Sequence, residues 1–338
     1  MPETTASTSF VHLRVHSEFS VVDGTVRIPD LIAQVGSFNQ PAVALTDLTN
    51  IFGLIKFYKA ARGAGIKPLA GCDMWVTNDQ DREKPSRILL LVANNKGYLK
   101  LCELLTQAWL TNAYRGRGEI RREWLNDCSG LIALSGAASG DIGQALLNGQ
   151  SEQALELAKE WSGRFPNAFY IELQRRGFDT DEAYVQAALS LASDAGLPVV
   201  ATHPVQFLTK DEFRAHEARV CIAEGQILTD PRRPRLFTEE QYLLSSEAMA
   251  ERFSDIPSAL ANTVAIAKRC NLTLELGRPR LPDFPTPDGV SLDDYLFQLS
   301  EAGLAKRMVQ LYPDPLEREK QYPTYSDRLT LELSLIHI

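Results

Sequence analysis

Several things are missing from this 338-residue sequence, and each absence closes off a class of protein. There is no C-x-x-C pair: Cys72, Cys102, Cys128, Cys221 and Cys270 are scattered and odd in number, which argues against a disulfide framework or a structural zinc site and predicts reduced, buried thiols. No apolar run approaches the roughly 18 residues that a membrane span requires, so no membrane partner is expected. Residues 1–9 are small and polar, without the basic flank and apolar stretch of a secretory signal, and are predicted to be a disordered tail on a cytoplasmic protein. Positive charge is in deficit, with a net charge of −8. A domain that gripped nucleic acid alone would be basic, because phosphate neutralisation supplies most of that binding energy. The Arg-rich stretches at 115–122 and 232–235 therefore read first as solvated loops and only second as nucleic-acid contacts.

What is present is an alternation of short apolar, β-branched runs with longer amphipathic segments. Strands are predicted at 10–16, 41–46, 67–76, 88–94, 130–135, 169–173 and 198–202, mostly as continuous apolar runs suited to burial on both faces. Helices are predicted at 28–38, 52–64, 95–108 and 181–195 from apolar positions three and four apart, with Leu99, Leu101, Leu104 and Leu105 of the third facing inward. Such alternation predicts parallel strands joined by right-handed crossovers. No G-x-G-x-x-G follows the first strand, which disfavours a dinucleotide-binding sheet. His16, Asp47, Asp73 and His203 instead gather at or just after strand ends, where barrels place their chemistry, so a barrel is preferred. From Asp211 onward, helices at 211–224, 247–253 and 257–270 come without clear strands. A proline-rich connector at 281–289 then ends the first domain, and a helix at 291–311 begins with Ser291 as its cap.

The chemistry-bearing cluster is His12, His16 and Asp23. Two histidines near a strand end with a nearby carboxylate suit metal-assisted hydrolysis. They equally suit histidines that only hydrogen-bond within loops, and the residues by themselves leave both readings open.

The motifs add a resemblance. FVHLRVHSEFS at 10–20 with Asp23 and Gly24, ALTDLTNIFG at 44–53, GIKP at 65–68, GCD at 71–73, LLVANNKGY at 90–98, LSG at 134–136 and VVAT at 199–202 occur in the order found in the polymerase-and-histidinol-phosphatase (PHP) domain. Their spacing is similar to that of the alpha-subunit family of bacterial DNA polymerase III, the C-family replicative polymerases, over about residues 9–333. The resemblance implies an α/β fold, a distorted TIM-like (β/α)7 barrel of seven strands over residues 10–280. Residues 281–338 would be a linker and the incomplete helical start of the polymerase palm region.

Metal-binding members of the family hold a trinuclear centre at the barrel mouth, and the resemblance allows its ligand positions to be followed into this sequence. The first HxH histidine falls on Arg14, the second is kept as His16, and the next acidic position is Asp23. Asp47 remains, but the histidine after it is Leu48. The glutamate after the third strand is Asp73, and the histidine opening the fourth is Arg87. The Cys or His after Leu-Ser-Gly is Ala137, and the final Asp-x-His pair falls on Pro204 and Gln206, with His203 one position upstream. Two positions have thus become cations. A divalent ion about 4 Å from a guanidinium would be repelled by about 8 kcal/mol at an effective dielectric of 20, and arginine cannot shed its proton. Arg14 and Arg87 are therefore expected to replace the metals, neutralising Asp23, Asp47 and Asp73 by paired hydrogen bonds. This gives a degenerate site with no metal expected, in which His16, Asp23 and Asp73 are the weak residual candidates.

The resemblance further implies a non-catalytic scaffold that docks the proofreading exonuclease (epsilon) subunit. Other polymerase III holoenzyme subunits and primer-template DNA would be reached through the rest of the parent polymerase, which needs Mg2+ for nucleotidyl transfer. No catalytic residue and no cofactor are expected in this stretch. Asp293 and Asp294 suit a helix first turn and are not the polymerase carboxylates. The alternative from another class is a metal-dependent phosphoesterase, either a pyrophosphatase or a 3′–5′ exonuclease. The family pattern continues through YSDRL at 325–329 and EL at 332–333 and fails at 334–338, which suggests a truncated or misread frame and loose packing there.

Overall fold

The computed structural model describes residues 10–279 and 281–336. The expected tail at 1–9 lies outside the described residues. The chain divides into two compact units, the first ending at Leu274 and the second beginning at Glu275.

The first unit is built on strand–helix alternation. α1 (Ile28–Ser37) has Pro29 in its first turn, where a missing N–H costs nothing, and buries Ile28, Leu31, Ile32 and Val35 along one stripe. β1 (Ala42–Leu45) is buried throughout, and α2 (Leu54–Gly63) carries the chain to β2 (Lys67–Val76). β3 (Ser86–Val92) leads into α3 (Asn95–Thr111), whose first turn is capped by the Asn94 side chain accepting from Gly97 N. β4 (Ala113–Tyr114) and β5 (Arg117–Ile120) form a hairpin whose two turn residues, Arg115 and Gly116, both take positive φ. β6 (Leu131–Leu134), α4 (Asp141–Leu147), α5 (Ser151–Arg164), β7 (Phe169–Leu173), α6 (Asp181–Ala195) and β8 (Val199–Ala201) complete the alternation. Three helices follow: α7 (Phe213–Glu224), α8 (Ser246–Arg252) and α9 (Pro257–Arg269).

The eight strands run in the order β4-β5-β2-β3-β6-β7-β8, with β1 also paired to β2. This ladder is not closed. The segment 10–16, expected as a strand, makes only isolated bridges: His12 to Val43 on β1, and Val15 to Val205 beyond β8. It thereby lies between β1 and the stretch that follows β8, and Arg14 within it reaches Asp73 on β2 and Glu172 on β7. A second departure concerns direction. β3 is antiparallel to both β2 and β6, because residues 77–85 contain no helix to bring the chain back for a parallel return. Two helices not anticipated, α4 and α5, fill the connection from β6 to β7. In α3, Leu101, Leu104 and Leu105 are buried as expected, but Leu99 is exposed. Cys72, Cys128, Cys221 and Cys270 are buried and Cys102 is half-buried; all five are free thiols.

The second unit holds α10 (Leu292–Leu311) and α11 (Pro315–Ile336). Ser291 caps α10 by accepting from Asp294 N. The two helices meet at Tyr312 and Tyr325, whose hydroxyls lie 3.2 Å apart. Among the described residues no helix is long and apolar enough to cross a membrane.

Candidate functional site: a carboxylate and arginine cluster at the barrel mouth

Asp73 sits in β2, wholly buried, where an unpaired carboxylate would be severely penalised. Three basic side chains converge on it. Arg14 Nη1 and Arg87 Nη2 both donate to Oδ2, Arg87 Nε donates to Oδ1 at 3.1 Å, and His16 Nε2 lies 3.3 Å from Oδ2. Burial alone would raise the Asp73 pKa. The charges of Arg14 and then Arg87 outweigh it and hold the carboxyl well below its ordinary range. Trp75, two residues along β2, lies under the Arg87 guanidinium with the ring centroid 4.4 Å away.

Arg14 also reaches across the barrel to Glu172 on β7. Its Nε and Nη2 donate to the two carboxylate oxygens at 2.8 and 3.0 Å, a fork-to-fork pairing. Glu172 is fully buried and further satisfied by Thr202 Oγ1 at 2.5 Å, Gln174 Nε2 at 3.0 Å and Gly136 N at 3.1 Å. Position 136 has to be glycine: its φ is +80°, and a Cβ would stand 2.2 Å from the Arg87 carbonyl oxygen. Sequence reasoning missed Glu172. The available signal was a lone carboxylate inside an otherwise apolar strand, which had to be either solvent-facing or paired.

The other carboxylates are handled differently, and here the expectation is corrected. Asp23 is not neutralised by a paired guanidinium. It accepts from His16 Nδ1 at 3.0 Å and from Ser20 Oγ at 2.6 Å. Burial opposes its ionisation, but the His16 charge prevails and its pKa is lowered. Conversely, burial would lower His16, yet Asp23 and Asp73 push it up to about 9. Asp47 meets no arginine either: Ser17 N and Oγ donate to its two oxygens at 2.6 and 2.9 Å. With neutral partners close by, burial dominates and raises its pKa to about 6.

The remaining candidate positions do not gather as ligands. Leu48 donates its backbone N–H to Ser20 Oγ, Ala137 is buried with φ of +50°, and Pro204 lines, with Leu48 and Asp73, a cavity of about 260 Å³. Gln206 Nε2 stands 3.4 Å from His16 Nδ1, while its Oε1 is buried without a hydrogen-bond partner. His12 and His203 take the loop-bonding role. Their Nε2 atoms face the carbonyls of Leu244 and Tyr242 at 2.8 and 2.9 Å, and burial lowers both pKa values, His12 to about 4. Among the described residues no group of three or more His, Cys, Asp or Glu is arranged to hold a metal ion. The Asp73 oxygens a metal would need are already held by two guanidiniums, and the two ring nitrogens of His16 lie against Asp23 at 3.0 Å and Asp73 at 3.3 Å. The residues present do not fit a metal centre.

Comparison with known proteins agrees with the motif reading. The PHP domain family matches residues 12–176. The chain is 52% identical to DNA polymerase III subunit alpha of Neisseria meningitidis serogroup A over 334 residues, which cover 97% of this chain and 29% of that protein. It is 49% identical to DNA polymerase III subunit alpha of Pseudomonas aeruginosa, covering 97% of this chain and 28% of that protein. The chain thus spans less than a third of the length of the curated relatives it matches. Among solved structures it is similar to an amidohydrolase from Chromobacterium violaceum at 15% identity and a TM-score of 0.44, covering 62% of this chain and 97% of that one.

Proposed function

A PHP domain lies in this chain at residues 12–176, and from that premise we propose that the chain is a metal-free scaffold within the alpha subunit of a bacterial replicative polymerase. The observation that carries this reading is Asp73, whose two oxygens are taken up by Arg14 and Arg87 where a metal would need them. A guanidinium supplies fixed charge and directional hydrogen bonds but cannot polarise a phosphoryl oxygen or lower the pKa of a bound water as a metal does. The cluster therefore ties the first segment to β2, β3 and β7 and hydrolyses nothing.

The parent protein carries out template-directed DNA synthesis in chromosome replication, in the cytoplasm. Its two-metal chemistry with Mg2+ belongs to carboxylates outside this stretch. The partner of the scaffold is the proofreading exonuclease subunit, with primer-template DNA and the other holoenzyme subunits reached through the rest of the parent. Residues 10–280 form the PHP domain and 281–338 the linker and the start of the palm region.

Metal analysis and a phosphoesterase assay on the purified chain test the reading. The expected results are metal far below one equivalent and no hydrolysis. Stoichiometric zinc or manganese, with hydrolysis lost in His16→Ala, would replace it with the phosphoesterase reading. A pull-down with the exonuclease subunit tests the partner separately.

A further inference from the structure

The cavity lined by Leu48, Asp73 and Pro204 measures about 260 Å³, several times the ~30 Å³ that one water occupies in the liquid. Three glutamines in its lining, Gln174, Gln206 and Gln241, are each more than nine-tenths buried. Each has one half of its carboxamide committed and the other left over. Gln174 donates Nε2 to Glu172 and Thr202, and its Oε1 accepts from none of the described residues. Gln241 Oε1 accepts from Thr238 N at 3.0 Å, and its Nε2 donates to none of the described residues. Gln206 Nε2 stands beside His16, and its Oε1 is buried without a partner. Arg87 and Arg176 add donors. Each spends Nε and Nη2 on a single carboxylate, Asp73 or Asp181, which leaves Nη1 outside the pair.

We propose that this cavity binds a neutral heterocycle carrying hydrogen-bond donors and acceptors along its edge, the chemistry of a nucleobase, presented by a free nucleoside or by an exposed base of a single strand. Charge excludes the other classes. The lining holds the guanidiniums of Arg14, Arg87 and Arg176 and the carboxylates of Asp23, Asp73 and Glu224, three of each sign. Arg14 and Arg176 are further neutralised by Glu172 and Asp181. A phosphate or a carboxylate therefore finds no cation to spare, and a cation meets three guanidiniums. The leftover groups are of both hydrogen-bonding kinds: acceptors on Gln174 and Gln206, donors on Gln241, Arg87 and Arg176. Polar groups held this deep cost stability until something pairs with them. Carboxamides and guanidiniums in fixed positions are the groups that read the in-plane edge of a base. Val22, Leu236 and Phe237 supply apolar lining for the faces of such a ring. A hexose, with hydroxyls all round, offers no comparable flat edge. This inference goes beyond the scaffold reading and needs no exonuclease partner.

The test is titration of the purified chain with each of the four deoxynucleosides, followed by calorimetry and by the side-chain amide signals of an isotope-labelled sample. Saturable binding of at least one is expected, with the largest shifts on the amides of Gln174, Gln206 and Gln241. Its 5′-monophosphate should bind no tighter, because no positive charge awaits the phosphate. Gln206→Met and Gln241→Met should each weaken binding about tenfold, with an unchanged melting temperature showing the fold intact. Should either variant fail to fold, the amide shifts of the unaltered chain decide. No saturation by any of the four at millimolar concentration, shifts that fall outside the cavity, or a monophosphate bound about tenfold tighter than its nucleoside overturns the proposal. A short single strand of the same base that displaces the nucleoside identifies an exposed base as the source, and one that fails to displace it identifies a free nucleoside; both uphold the base chemistry. Nucleoside binding without pull-down of the exonuclease subunit leaves the pocket standing and removes the proposed partner. Pull-down without nucleoside binding removes the pocket alone.

Discussion

The two halves of the barrel mouth treat buried carboxylates in opposite ways. On the side of β2 and β7, Asp73 and Glu172 are held by guanidiniums, and Asp73 stays ionised far into acid. On the side of the loop after β1, Asp47 has only the Ser17 amide and hydroxyl, and its pKa climbs to about 6. Burial penalises the ionised form in both corners, and only beside Asp73 do fixed cations outweigh that penalty. The difference teaches that guanidiniums compensate only Asp73 and Glu172, while Asp23 relies on His16 and Asp47 on the neutral donors of Ser17.

Removing Arg14 is expected to give the largest effect. Arg14→Met leaves two buried carboxylates short of a partner and is expected to cost about 3–5 kcal/mol, measured by urea unfolding at pH 7.5. A loss under about 1 kcal/mol would place the structural weight elsewhere.

The next effect is a pH dependence. His16 has its folded pKa raised from 6.5 to about 9. Its contribution to stability is therefore fully present below pH 6.5 and lost as pH rises through 9, amounting to about 3 kcal/mol at 1.36 kcal/mol per unit. Melts from pH 6 to 10 should show this decline, and His16→Gln should flatten it.

Arg87→Met is expected to cost less, about 1–3 kcal/mol, because Asp73 keeps Arg14. A cost equal to that of Arg14→Met would erase the distinction between the bridging arginine and the flanking one.

The smallest effect has the opposite sign. Asp47 has its folded pKa raised from 3.8 to about 6, so its burial weakens the fold increasingly as pH rises from 3.8 to 6. Asp47→Asn keeps neutral hydrogen bonds to Ser17 and should gain on the order of 1 kcal/mol at pH 7.5, and nothing at pH 4. A loss at pH 7.5 would mean that Asp47 is compensated after all.

Much of this was legible in the residues. The apolar runs marked β1, β2, β3, β6, β7 and β8, and the arginines at positions 14 and 87 announced a changed site, but β4 and β5 went unforeseen, and the 115–122 stretch expected as a solvated loop supplies β5, buried at Gly118, Glu119 and Ile120 beside β2. Which carboxylate each arginine meets was not legible. Arg14 pairs with residues 59 and 158 positions away, and only the ladder order brings β2 and β7 around the first segment. Glu172 escaped because a single carboxylate in a strand fits a solvent-facing position as well as a buried pair. The antiparallel β3 could have been read: residues 77–84 are polar throughout and Pro85 follows, leaving no apolar stripe for a crossover helix. The irregular 10–16 segment could not, because its β-rich composition hides the fact that its partners offer only isolated bridges.

The account depends most on guanidiniums, and not metal ions, compensating Asp73. Crystals of the chain grown with an excess of manganese or zinc, measured at the metal's absorption edge, test this directly. The account predicts no anomalous peak within bonding distance of Asp73, His16 or Asp23, with Arg14 and Arg87 still on Asp73. A fully occupied peak among those three residues, with the arginines displaced, would contradict it.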